Sequence, residues 1–139
     1  MTGTIVILLI VVVVIGGGML AIFSLTRGRG GLLDREKFQS AWLKIENNLD
    51  KKNMATYRFA MISADALLDE ALRDSGVKGE TMGERLKNAK TKFAKIDQVW
   101  TVHKLRNKIA HEPDAKIPSL FLKKALSTYK NALKELGAI

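Results

Sequence analysis

From about residue 34 to the end of the chain, apolar side chains recur every three to four positions, which is the spacing of one face of an α-helix. In the first such run Phe38, Trp42, Ile45 and Leu49 follow this spacing. The alternation of apolar and polar residues that is typical of a β-strand does not occur in this part of the sequence. The pattern predicts five helices, over residues 34–49, 54–74, 81–93, 97–112 and 120–136.

Residues that start and stop helices separate these runs by short loops, which is typical of an all-α bundle of four to five helices. Thr81 and Glu84 have the spacing of a capping box at the start of the third helix. Asp97 and Ser119 are suited to cap the fourth and fifth helices. The terminating residues are Gly76 after the second helix, Pro113 after the fourth and Gly137 after the fifth.

An uncharged, mostly apolar stretch precedes the predicted bundle and is long enough for a membrane. About 21 residues after Thr4 would form a helix roughly 30 Å long, which matches the hydrocarbon core of a bilayer. Because no basic leader or cleavage site is evident, the stretch indicates an uncleaved transmembrane anchor. The predicted organisation is a tail at residues 1–4, a transmembrane helix at 5–26, a linker at 27–33 and a helical bundle at 34–139.

The flanking charges predict the orientation of this anchor. No Lys or Arg precedes it, whereas Arg27 and Arg29 follow it directly. The positive-inside rule then places the C-terminal domain in the cytoplasm, on a single-pass protein of the inner membrane. Gly17 and Ala21 form a small-xxx-small pair that could support dimerisation within the membrane.

All charged residues lie at Arg27 or beyond, and they give the 139-residue chain a formal net charge of +9. A basic domain favours polyanions such as RNA, anionic lipid or acidic proteins, although a lysine-rich surface also serves solubility alone. The chain has no cysteine, which excludes disulfides and thiolate zinc sites.

Both histidines fall in one short stretch, HKLRNKIAHEP at residues 103–113, on the predicted fourth helix. On a helical wheel His103, Asn107 and His111 share a face with Trp100, apart from the core-facing residues. Arg106 lies about 140° around the helix from His111. The core-facing residues of this helix are Val99, Val102, Leu105 and Ile109.

The sequence Arg-Asn-Lys-Ile-Ala-His at residues 106–111 resembles the signature of the HEPN superfamily, an arginine followed by a histidine after four to six residues. The polar residue directly after the arginine also fits that signature. The second helix, ADALLDEALRDSG, is similar to the helix that packs beside the motif in the family. The resemblance covers the helical domain and not the anchor, and it implies a small helical bundle like those of many prokaryotic ribonucleases and toxins.

This resemblance implies metal-independent cleavage of RNA to 2′,3′-cyclic phosphate and 5′-hydroxyl ends, with no cofactor. His111 would act as general base or acid, Arg106 would stabilise the phosphoryl oxygens, and Asn107 would orient His111 or the phosphate. In the family such sites are often shared by the two copies of a homodimer. The predicted RNA-binding residues are Lys104, Lys108 and His103. His103 would also offer a second acid or base for the proton transfers.

Other interpretations of the same residues remain open. His111 could simply end the fourth helix, where a protonated imidazole favours the helix dipole. Arg106 could pair with a carboxylate of the second helix, namely Asp65, Asp69 or Glu70. The domain would then bind RNA or a protein partner, such as an antitoxin, without catalysis, or serve only as a structural bundle. The two histidines are eight residues apart, which is a poor spacing for a shared metal ion.

Overall fold

A computed structural model describes residues 3, 5–7, 11–12, 15 and 32–139 of the chain, and Gly31–Ile139 form one compact unit. Among the described residues no helix has the length and the apolar character needed to cross a membrane. The predicted anchor at residues 5–26, and the Gly17 and Ala21 pair within it, lie largely or wholly outside the described residues. The anchor therefore stays a prediction.

Residues 32–139 are helical, without β-strands, as the periodicity of the sequence predicts. Five α-helices and one 3₁₀ turn follow one another, joined by loops of a few residues. The helices are α1 (Arg35–Asn47), α2 (Met54–Asp74), α3 (Met82–Asn88), α4 (Ile96–His111) and α5 (Ser119–Glu135), and the 3₁₀ turn is Lys90–Lys92.

The longest helix, α2, is the centre of the bundle and packs against each of the other four. Nine of its 21 residues are buried, which explains why its apolar residues occupy more than one face. The buried core around α2 includes Phe38 and Trp42 of α1 and Leu86 of α3. The core also includes Val99, Val102 and Ile109 of α4, and Leu122, Tyr129 and Leu133 of α5.

Most of the predicted helix ends are confirmed. Gly76 and Gly137 both adopt positive φ angles, 83° and 74°. At each glycine the following amide bonds back to a carbonyl five residues earlier, as in a Schellman motif. The hydroxyl of Thr81 accepts a hydrogen bond from the amide of Glu84, and the Glu84 carboxylate accepts one from the amide of Glu80. The capping box is thus present with its second bond shifted by one residue.

Three expectations about helix ends were wrong. Helix α3 stops at Asn88, because the backbone then changes to i→i+3 hydrogen bonds, as from the amide of Lys92 to the carbonyl of Ala89. The predicted helix to residue 93 is therefore a helix followed by a 3₁₀ turn. Lys95, not Asp97, precedes α4, and Asp97 lies within the first turn, where its charge still favours the helix dipole. Ser119 is the first residue of α5 rather than its cap.

Candidate functional site

The six residues that the sequence suggests for the site all lie on α4, but they divide between the interior and the surface. His103 is buried, whereas Arg106 and Asn107 are half-buried. The face of α4 that carries them is therefore an internal face over part of its length. The exposed members of the set are Lys104, Lys108 and His111.

A buried carboxylate on α2 organises the inward-facing polar side chains. The Asp65 side chain accepts hydrogen bonds from His103 Nδ1 at 2.8 Å and from the hydroxyl of Tyr129 at 3.0 Å. Arg106 Nε lies 3.5 Å from its second oxygen. The side-chain amide of Asn107 lies within hydrogen-bonding distance of both His103 and Arg106. We call this group the Asp65 cluster: Asp65, His103, Arg106, Asn107 and Tyr129.

The cluster fixes the tautomer of His103. A carboxylate only accepts hydrogen bonds, so Nδ1 of His103 carries the proton that Asp65 receives. Nε2 is then the acceptor in the neutral ring, and the Asn107 amide nitrogen lies 3.4 Å from it. The amide oxygen of Asn107 accepts a hydrogen bond from Arg106 Nη1 at 3.0 Å. Each polar side chain thus orients the next.

An ionised carboxylate as buried as that of Asp65, which is 4% exposed, costs several kcal/mol unless its neighbours compensate for the lost water. Here a histidine, a tyrosine and an arginine surround it. Burial, together with the nearby charge of Asp65, raises the pKa of the Tyr129 hydroxyl far above its usual value, so Tyr129 remains a neutral donor.

Arg106 is held in place but keeps contact with the surface. Its Nε is buried without a hydrogen bond of good geometry, while the side chain as a whole is 29% exposed. Nη1 is the guanidinium nitrogen that bonds Asn107, and Nη2 makes no hydrogen bond to another described residue. The guanidinium is therefore oriented by Asp65 and Asn107 and retains donors for a further ligand.

His111 is exposed at the last residue of α4 and forms no hydrogen bond with the Asp65 cluster. The amide of Asn107 bonds His103 and Arg106 rather than His111. Asn107 therefore orients those two side chains and not, as had been expected, His111. The chain after His111 is anchored instead by α2, because Arg58 donates to the carbonyls of Pro113 (2.6 Å) and Ala115.

Of the three carboxylates proposed as partners of Arg106, the structure selects Asp65. Asp69 binds Arg85 through two parallel hydrogen bonds of 2.6 and 3.0 Å, and Glu70 binds Lys37 at 2.7 Å. Among the residues that the structure describes, no three His, Cys, Asp or Glu side chains are grouped closely enough to hold a metal ion.

Sequence reasoning missed two contacts: the bond of Tyr129 within the Asp65 cluster, and the bonds of Arg58 to the loop after His111. Tyr129 has helical spacing from the core residues Leu126 and Leu133 of α5, which indicates a core position, but this spacing gives its hydroxyl no partner. A tyrosine in a buried stripe signals a polar neighbour, because its hydroxyl is costly to bury alone. Arg58 lies more than fifty residues before the loop it binds, and no local pattern connects them.

Comparison with models of protein families, with curated proteins and with solved structures finds no match to this chain. Its function is therefore argued from the Asp65 cluster, His111 and the distribution of charge.

Proposed function

We propose that this chain is a HEPN-like protein that acts on RNA, and that Arg106 and His111 cleave the RNA backbone without a metal ion. The main support for the proposal is the orientation of the Arg106 guanidinium and its unused hydrogen-bond donors. Its guanidinium is oriented by Asp65 and Asn107, yet it keeps free donors near the surface. A guanidinium held in this way suits a phosphate group, whose oxygens accept paired hydrogen bonds.

The proposed reaction is an attack of the ribose 2′-hydroxyl on the adjacent phosphorus atom. The bond from phosphorus to the 5′-oxygen breaks, which leaves a 2′,3′-cyclic phosphate and a 5′-hydroxyl. The 2′-hydroxyl loses a proton and the leaving oxygen gains one, and His111 is the exposed imidazole on α4 that can carry out such a transfer. Arg106 would stabilise the charge that accumulates on the phosphoryl oxygens.

The geometry of one copy supports a site shared between two. Arg106 and His111 are five residues apart on α4, which separates them by about 140° around the helix and about 7.5 Å along it. Each side chain can then act with its counterpart from a second copy. A homodimer would also supply two histidines, one for each proton transfer.

The exposed lysines of α4 would hold the RNA backbone. Lys104 and Lys108 are one turn apart and point to solvent, so they favour phosphates without reading the base sequence. The apolar stretch at residues 5–26 would keep the domain at the cytoplasmic face of the inner membrane. RNA cleavage at that surface, under control of an antitoxin-like protein partner, is the role that fits these parts together.

A second candidate function is binding of RNA or of a protein without cleavage. The observation in its favour is that His111 forms no hydrogen bond or ion pair with Arg106 or with any other member of the Asp65 cluster. In that case the cluster would stabilise the fold, and the exposed basic residues of α4 would bind the partner. This candidate predicts salt-dependent binding and no turnover.

The test uses the whole chain in a neutral detergent, because residues 5–25 are uncharged and largely apolar. An end-labelled structured RNA is incubated in EDTA with the wild-type protein, with His111→Ala and with a control, Lys116→Ala. His111 is exposed, so its replacement leaves the core intact. We expect cleavage by the wild type and the control, with cyclic phosphate ends, and a loss of at least about 100-fold in His111→Ala.

Cleavage that survives His111→Ala would refute the proposed mechanism. RNA binding by the wild type without any cleavage would favour the second candidate. Arg106→Lys adds a further comparison, because it keeps the positive charge but loses the paired donors of the guanidinium.

A further inference from the structure

A second basic surface lies away from Arg106 and His111, between α3 and α4. Lys87, Lys90, Lys92 and Lys95 fall within nine residues, and all four are exposed. None of them forms an ion pair with a described residue. Four like charges close together repel one another, so an anion that binds there relieves this repulsion.

Positive charge is concentrated in this half of the sequence. Residues 76–139 carry 14 of the 23 basic side chains but only six of the 14 acidic ones. Residues 32–75 carry seven basic and eight acidic side chains and are close to neutral. The excess charge of the bundle therefore belongs to α3, α4, α5 and their loops.

The lysine-rich segment borders a cavity of about 240 Å³ with an apolar wall. The apolar residues that line it are Leu86, Ile96 and Trp100, and the charged residues at its edge are Lys87, Lys90 and Asp97. An aromatic surface beside cationic side chains is the combination that binds single-stranded nucleic acid, because a base stacks on the ring while the lysines attract the phosphates.

Trp100 is the tryptophan that is suited to this role. Trp42 is 4% exposed in the core, whereas Trp100 is partly exposed and lines the cavity. The Trp100 indole also has fixed neighbours. The His103 ring meets it edge-on with centroids 6.1 Å apart, and a Cβ atom built on Gly83 would lie 3.6 Å from it. A ring held in this way loses little freedom when a base stacks on it.

We propose that this cavity, which we call the Trp100 pocket (Leu86, Lys87, Lys90, Ile96, Asp97 and Trp100), binds single-stranded RNA. One base lies against Trp100, and the phosphates on either side of it contact Lys87 and Lys90. The carboxylate of Asp97 accepts a hydrogen bond from an N–H group of a base, the amino group of cytosine or the N3–H of uracil, which a lipid phosphate or a bare polyanion does not offer. The inference rests on the proposed function in that the ligand of both sites is RNA.

The Trp100 pocket and His111 share one side of α4. Trp100, Asn107 and His111 lie within about 40° of one another around the helix, and Trp100 and His111 are about 16 Å apart along its axis. The exposed Lys104 and Lys108 lie between Trp100 and His111 along α4, so an RNA strand held at Trp100 can pass over them to the C-terminal end of the helix. The pocket would position the strand and would take no part in the chemical step.

The experiment measures binding of a fluorescently labelled oligouridylate and an oligocytidylate of about twelve nucleotides by anisotropy, with heparin as a polyanion without bases. Every protein is the whole chain in neutral detergent and carries His111→Ala, so cleavage does not affect the readout. The variants are Lys87→Glu/Lys90→Glu, Trp100→Leu and Trp100→Phe. The matched control is Lys51→Glu/Lys52→Glu, which makes the same charge change at two exposed lysines before α2.

We expect Lys87→Glu/Lys90→Glu to weaken RNA binding at least tenfold and to reduce the slope of log affinity against log salt by about 1.4, the value for two phosphates of a single strand. The control should change affinity less than twofold. Trp100→Leu should weaken RNA binding about tenfold and leave heparin binding unchanged, and Trp100→Phe should restore most of the loss. Circular dichroism verifies that each variant is folded.

Equal affinity of the lysine variant and its control for RNA would overturn the inference. So would an equal loss of RNA and heparin binding in Trp100→Leu, because the pocket would then not contact a base. A lysine variant that loses affinity for mixed micelles of the detergent with an anionic lipid, but not for RNA, would overturn the inference and assign the surface to the membrane instead. Failure of the wild type to cleave RNA would count against the proposed function and leave this binding result standing.

Discussion

Tyr129 occupies a position that the spacing of apolar residues assigns to the core, and its ring is fully buried there. Its hydroxyl nevertheless has a polar role, because it donates to Asp65. Burial and the charge of Asp65 raise the pKa of Tyr129 above its usual 10.0. The folded state therefore resists ionisation of Tyr129, whereas the unfolded state ionises near pH 10. The contribution of Tyr129 to stability is complete below that pH and is lost as the pH rises above it.

We predict that Tyr129→Phe lowers the free energy of unfolding by about 1.5–3 kcal/mol at pH 7, the value of a buried hydrogen bond to a charged group. Above pH 10 the variant should lose stability less steeply than the wild type. Urea unfolding at pH 7, 9 and 10.5 measures both effects. Tyr57→Phe is the control, because Tyr57 is also buried but its hydroxyl bonds no described residue. Equal losses in the two variants would show that the bond to Asp65 contributes nothing.

The end of α4 depends on a different helix. Arg58 of α2 donates to the carbonyls of Pro113 and Ala115, in the loop that follows His111. Pro113 cannot continue the helix, so the chain must turn there, but proline does not decide in which direction the loop leaves. The two bonds from Arg58 hold that loop against α2 and so fix the surroundings of His111.

We predict that Arg58→Ala costs about 1–2 kcal/mol of stability, because two carbonyls lose a charged donor. It should also speed hydrogen exchange of the Ala115 amide, which bonds the carbonyl of Glu112 within the loop. Exchange rates by mass spectrometry and urea unfolding give the two readouts. Arg73→Ala, at an exposed arginine in the last turn of α2, is the control and should leave the loop unchanged. Unchanged exchange at Ala115 in Arg58→Ala would contradict this role.

The first and last helices of the bundle are joined by an ion pair between residues 84 positions apart. Lys130 Nζ of α5 lies 2.5 Å from a carboxylate oxygen of Glu46 in α1. This hydrogen bond lowers the pKa of Glu46 below its usual 4.5. A carboxyl group with a lowered folded pKa adds stability above its unfolded pKa, and the contribution disappears as the pH falls through the folded value.

We predict that Glu46→Gln reduces stability by up to about 1 kcal/mol at pH 7, a small amount because both side chains are more than a third exposed and water screens the pair. The difference from the wild type should shrink as the pH falls below 4.5. Urea unfolding at low salt, at pH 7, 5 and 3, tests this. Asp114→Asn removes one negative charge from the exposed loop and should show a smaller effect. A difference that stays constant across the three pH values would exclude the ion pair as its cause.

The helices of the bundle were predictable because the signals that make them are local. The 21-residue helix Met54–Asp74 has the bounds that its periodicity and Gly76 indicate. The hydrogen bonds that form a helix and end it join residues no more than about five positions apart, so the local sequence contains most of the information about its bounds. The predicted ends differ from the structure by one or two residues at the starts of α4 and α5. The larger difference is at α3, which stops at Asn88 where the backbone changes to i→i+3 hydrogen bonds.

The candidate site was predictable in its residues but not in its connections. The sequence placed His103, Arg106 and Asn107 on one helix and named Asp65 among three possible partners of Arg106. Only the packing of α4 on α2 distinguished Asp65 from Asp69 and Glu70. Asp65 is the carboxylate buried between the two helices, whereas Asp69 and Glu70 are more exposed and pair with Arg85 and Lys37. The spacing of residues along one helix does not show how deeply each carboxylate is buried.

For this protein, the sequence determined the helical class, most helix ends, the uncharged N-terminal stretch and the basic charge, since each follows from neighbouring residues or from composition. The packing of helices distant in sequence decided that His103 is bound to Asp65 while His111 faces solvent. It also decided that Trp100 is partly exposed beside Lys87 and Lys90, whereas Trp42 is buried in the core. Burial is a property of the assembled core, and side chains with the same local pattern acquire different roles only when that core forms.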